Sequence, residues 1–168
     1  MSEPNAAAAA VVGNALQALS ERVSVFVERE MRGRHGDAWE QAARSGLTVA
    51  ADSALDLGAL LQVIEQHWST VFVAKLAPGD RAAVNELRGV RNAVVHQRGF
   101  TTPDALRALD AMQKLLRSMG DTAAANDVVR LKAALAEPPK SPLRSSTRAS
   151  FSSVGTSLPR PPLTASRT

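Results

Sequence analysis

Arg91-Asn92-Ala93-Val94-Val95-His96 is the stretch on which the reading of this 168-residue chain turns. It sets a guanidinium and a carboxamide close to an imidazole, inside a segment with helical periodicity. At 100° per residue with Leu87 at zero, Val84, Leu87, Val90 and Val94 fall within about 60° of one direction and form a core stripe. Arg91 lies at about 40°, on the edge of that stripe, whereas Asn92 lies at about 140° and His96 at about 180°. Asn92 and His96 are one-turn neighbours, and Arg91 points away from His96. Bringing Arg91 and His96 together therefore requires a distorted helix end, a folded-back Arg91 stem, or a cleft shared by two copies of the chain. A guanidinium on an apolar stripe also needs an anionic partner, for which Glu28 or Glu30 on the first helix are the candidates.

Working outward, the chain reads as helices from residue 5 to residue 137. The first spans residues 5–32, with Val12, Leu16, Leu19, Val23, Phe26 and Val27 at spacings of three and four. Met31-Arg32-Gly33-Arg34-His35-Gly36 is expected to break it. A short turn or helix over residues 37–44 carries Trp39, which with Trp68 is most simply a core anchor. The next helix starts near Asp52 or Asp56 and carries Leu57, Leu60, Leu61, Ile64, Trp68, Val71 and Phe72. Ala77-Pro78-Gly79-Asp80 ends it and starts the motif helix, with Asp80 as its cap. Thr101-Thr102-Pro103-Asp104 is a strong helix start, Gly120 a stop, and Asp121 the cap of a last helix that ends before Pro138. The expected fold is all-α, a bundle of about five helices over residues 1–137.

Composition narrows the chemistry. The sequence has no cysteine, which excludes thiolate metal sites, disulfides and a cysteine nucleophile. A reducing cytoplasm is the expected compartment. No apolar run is long enough for a membrane span, and the N-terminal residues, with Glu3 and no basic leader, do not read as a signal peptide. After Glu137 there are no acids and five bases, Lys140, Arg144, Arg148, Arg160 and Arg167. Residues 1–137 therefore hold 15 of the 20 Lys and Arg against all 16 Asp and Glu, close to neutrality. Residues 138–168, rich in Pro, Ser and Arg, read as a disordered basic tail, a linker towards a further domain or partner, or a tether to a polyanion. His35, His67 and His96 fit no compact ligand spacing, so neither a metal nor another cofactor is expected.

The motif and its flanks resemble the HEPN superfamily. The likeness rests on Arg91-Asn92-x-x-x-His96, the preceding Glu86-Leu87-Arg88, and the following Pro103-Asp104-Ala105-Leu106-Arg107-Ala108-Leu109-Asp110. Phe26-Val27-Glu28-Arg29-Glu30 and Asp56-Leu57-x-Ala59-Leu60-Leu61 extend it over about residues 18–136, and the branch it resembles is that of a yeast nuclear transcript-surveillance endoribonuclease. The resemblance implies a dimerising helical bundle with a metal-independent endoribonuclease site at the dimer cleft. Arg91 and His96 would then be catalytic, with Asn92 supporting them.

The residue types suit that chemistry. An imidazole titrates near neutrality and serves as general acid or base, and a fork-shaped guanidinium matches phosphate oxygens. Arg81, Arg88, Arg91 and Arg98 outnumber the acids of the motif segment, which makes Arg88 and Arg98 the candidate RNA contacts. The alternative is a non-catalytic RNA-binding or dimerisation module of the same fold. A third reading, a purely structural bundle, has Arg91 in an internal ion pair and His96 facing solvent.

Overall fold

The computed structural model describes residues 5–48 and 53–137, and every regular element among them is helical. In chain order these are α1 (Ala6–His35), α2 (Trp39–Arg44), α3 (Leu57–Gln66), α4 (Asp80–Val95), α5 (Thr102–Ser118) and α6 (Thr122–Ala136). A 3₁₀ turn, Gly36–Ala38, joins α1 to α2, and a π-helical turn, Trp68–Phe72, follows α3. Residues 138–168, read from the sequence as a basic tail, lie outside the described residues.

The helix starts are local chemistry. Asn5 accepts from the Ala7 N–H at 2.9 Å to begin α1, and Asp121 accepts from the Ala124 N–H at 3.0 Å to begin α6. Thr101 and Asp104 form a reciprocal capping box at α5, with Pro103 in the first turn. Asp56, not Asp52, caps α3 through the Ala59 N–H at 2.8 Å. Asp80 departs from expectation. It is the first residue of α4 rather than its cap, fully buried, and its Oδ2 accepts from the Ala77 N–H at 2.7 Å. The carboxylate closes the preceding turn instead of reaching forward into the helix.

The breaks differ from expectation at two points. α1 continues through Gly33 to His35, because a glycine inside a helix weakens it without ending it. The chain turns at Gly36, at φ +59°. The apolar run after Asp56 is not one helix either, since α3 ends at Gln66 and Val73 donates back to Trp68 at 2.7 Å across the π turn.

α1 packs against α2, α3 and α5, α3 against α4, and α5 against both α4 and α6. Val23, Phe26 and Met31 of α1, Leu61 and Ile64 of α3, Leu87 of α4, and Leu109, Met112 and Leu115 of α5 are almost fully buried in one cluster. Phe72 from the π turn reaches into it, with its ring centroid 5.8 Å from that of Phe26. The packing of α3 on α4 positions the motif, because it lays the first turn of α3 across the last turns of α4.

Candidate functional site

Arg91 leaves α4 on the side that faces α3. One nitrogen of its guanidinium, Nη2, pairs with Oδ2 of Asp56, and the other, Nη1, donates to Oδ1 of Asn92 at 3.2 Å. The remaining oxygen of Asp56 is the one that caps α3, so a single carboxylate starts one helix and holds the arginine of another. The expected partners on α1 are otherwise engaged. Glu28 pairs with Arg32 at 3.1 Å, and Glu30 with Arg29 at 2.9 Å and Lys75 at 3.4 Å. The internal pair predicted for Arg91 therefore exists with a different acid.

Room for this arrangement comes from Gly58. A Cβ placed there would stand 3.1 Å from Nε and 3.2 Å from Cζ of Arg91, so the guanidinium lies directly on the first turn of α3. Arg91, Asn92, Asp56 and Gly58 line a groove of about 340 Å³ together with Thr48, Ala59, Gln62 and Arg88. Arg88 is tied to Glu65 near the far end of α3.

His96 is placed differently. It is the C-cap of α4, its backbone N–H donating to the Asn92 carbonyl at 3.0 Å, and the residue is exposed. It is not among the residues lining the α3–α4 groove. The helix stops at this point through a Schellman closure, in which Gln97 donates to Val94 at 3.0 Å and Arg98 to Ala93 at 2.9 Å. Gln97 takes the left-handed conformation that this closure needs, φ +50°, where α5 uses Gly120 at φ +84°. Asn92 is also exposed, and its carbonyl oxygen faces Arg91.

Within the chain the motif is thus divided. Arg91 and Asn92 form a braced pair against α3, while His96 stands at the open end of α4. The candidate RNA contacts are divided too. Arg88 sits on the α3 flank, whereas Arg98 lines a second groove between α4 and α5 with Gly89, Val90, Ala93, Phe100 and Arg107. Asp104 lies on that second rim. The Thr101 hydroxyl, then the Thr101 backbone N–H, and less strongly Arg107 hold its carboxyl below the ordinary carboxylate range.

Among the described residues no three His, Cys, Asp or Glu side chains gather in a way that could hold a metal ion. His35 and His67 do meet, edge to face with centroids 5.8 Å apart. His67 Nε2 lies 3.2 Å from the Ala42 carbonyl, and His35 Nε2 is buried without a hydrogen-bond partner. His35 is half-buried, its ring packed against His67 where the ends of α1 and α3 meet.

A family model described as Swt1-like HEPN matches residues 14–120, from within α1 to just past α5 and across the whole motif. The chain belongs to the Swt1-like HEPN family. HEPN domains are helical, and they commonly dimerise and act on RNA. No curated protein and no solved structure matches this HEPN chain. No helix among its described residues is long and apolar enough to cross a membrane.

Asp56 and Gly58 are the two residues of this HEPN site that the sequence did not mark. Asp56 was visible as a helix cap, but nothing in the chain 35 residues before Arg91 signals that its second oxygen is taken by the motif.

Proposed function

We propose that this HEPN domain is a metal-independent endoribonuclease whose Arg91 and His96 meet on one phosphodiester across a two-fold dimer. The observation that carries the reading is the intact Arg91-Asn92-x-x-x-His96 motif inside the family match, with Asn92 and His96 both exposed. Arg81, Asn85, Arg88, Asn92 and His96 follow one face of α4, and beside them Val95 is 55 % exposed, an apolar side chain suited to a helix partner. A second α4 laid on this face brings the imidazole of one protomer towards the guanidinium of the other.

The reaction follows from the groups. The RNA 2′-hydroxyl gives its proton to an imidazole and its oxygen bonds to the adjacent phosphorus. The bond from phosphorus to the 5′-oxygen breaks, and that oxygen takes the proton back from the same imidazolium, which returns His96 to its neutral form. Arg91, braced by Asn92, holds the phosphate oxygens as their negative charge grows. The products are a 2′,3′-cyclic phosphate and a 5′-hydroxyl. The likeness to the yeast transcript-surveillance branch fits this chemistry, and the basic residues 138–168 would add a salt-sensitive tether for RNA.

The test is cleavage of a defined RNA in EDTA by the wild type, His96→Ala and Arg91→Ala. Cleavage by the wild type, with a cyclic phosphate at the new end, that falls to a small residual rate in both variants supports the reading. Equal activity in all three assigns the activity to a contaminant.

One observation favours a second reading. Arg91 is paired with Asp56 within the chain and His96 is exposed, as expected of a purely structural, partner-binding bundle. That reading predicts that the domain neither cleaves nor binds RNA.

A further inference from the structure

We infer that Asp56 is a positioning residue for Arg91, an inference that rests on the endoribonuclease reading above. Capping α3 requires one acceptor oxygen, which Ser, Thr or Asn supplies as well as Asp. What a carboxylate adds is a second, charged oxygen, and Arg91 takes it.

The surroundings are built to the same end. The guanidinium rests on the first turn of α3, where the unpaired backbone N–H groups carry partial positive charge and repel a cation. Asp56 offsets that repulsion at the spot where it is felt. Gly58 lets the guanidinium lie flat, since a Cβ would come within 3.1 Å of Nε. Asn92 accepts from Nη1 at 3.2 Å and fixes the plane of the fork. Asp56 and Asn92 together engage only part of the donor set of an arginine, so the other N–H groups stay available for a phosphate in a fixed direction. A flexible side chain is thereby oriented before RNA arrives, and the cost of ordering it is met in the fold rather than in the transition state.

The experiment compares Asp56→Asn and Asp56→Ser with the wild type, each alone and combined with Arg91→Ala. Both replacements keep a cap for α3 and remove the charged oxygen, so both are expected to melt near the wild-type temperature. In the wild-type background kcat is expected to fall roughly 10- to 100-fold with KM changed much less, because the lost interaction serves the transition state. In the Arg91→Ala background neither replacement is expected to lower cleavage further. A wild-type kcat in both variants, a gain in activity, or an equal loss in the Arg91→Ala background each overturns the inference.

A second readout does not depend on cleavage. With ¹⁵N-labelled arginine, the Arg91 Nη2 protons, one of which Asp56 holds, are expected to exchange slowly with water in the wild type and faster in both variants. Unchanged exchange overturns the positioning role even if the protein cleaves RNA. Faster exchange in a protein that cleaves nothing upholds the positioning and rejects the endoribonuclease reading alone.

Discussion

Arg91 is bound by Asp56, 35 residues earlier in the chain, while His96, five residues later on its own helix, stands free of both at the C-cap of α4. The two groups that the motif names are thus held in different environments. One is braced against α3 and the other is open to solvent. An α-helix imposes this separation at a spacing of five residues, and the pairing with Asp56 fixes it.

Gly58→Ala separates stability from function. A Cβ at this position gains helix propensity, at most ~1 kcal/mol and less in a first turn. It also meets Arg91 at 3.1 and 3.2 Å and Asp56 Oδ1 at 3.4 Å, so the guanidinium must shift by a few tenths of an ångström. The expected outcome is a melting temperature equal to or above that of the wild type, with RNA cleavage reduced severalfold. Thermal denaturation and a single-turnover assay on the same preparation check both halves.

Gln97→Gly is expected to stabilise the domain. Gln97 holds φ +50° in the closure that ends α4, a conformation costing an L-residue about 1 kcal/mol that glycine adopts freely. Part of the gain returns as lost chain entropy in the unfolded state, which leaves a net increase of about 0.5 kcal/mol. Urea denaturation measures it. The same change loosens the residue that follows His96, so cleavage is expected to fall while stability rises.

Asp104 sets a pH dependence. Its carboxyl is held below the ordinary range, chiefly by the Thr101 hydroxyl and then by the Thr101 N–H, so the folded state favours the ionised form. The stabilisation is complete above the ordinary carboxylate pKa, about 3.9, and is lost as pH falls below that through the lowered folded value. In Asp104→Asn this component is absent. The variant is expected to be less stable than the wild type at neutral pH, with the difference shrinking in acid. Melting temperatures from neutral pH down to about pH 2 follow it.

The parts of this architecture that were legible in the sequence are those decided within one turn of chain. The Thr101–Asp104 capping box, the Asp121 cap, the stop at Gly120 and the apolar stripe of α4 each depend on neighbours three or four residues apart. The partner of Arg91 was not legible, because a helical wheel gives a direction and not what lies in that direction. The acid facing Arg91 is set by how α3 crosses α4. The contact of His35 with His67 was hidden for the same reason, since it joins the ends of two helices. Asp80 misled because an acid beside a glycine at a helix start reads as a cap. Its burial, which turns the carboxylate back to Ala77, depends on the tertiary packing.

The central claim is that one cleavage site takes its arginine from one protomer and its histidine from the other. Mixing Arg91→Ala with His96→Ala protein, after mild denaturation and refolding so that protomers exchange, tests it directly. Half of the dimers are then hetero-dimers, and each has one site with both groups intact, so about a quarter of wild-type cleavage in EDTA is expected to return. Cleavage no greater than that of either variant alone, in a mixture shown to contain hetero-dimers, would contradict the account.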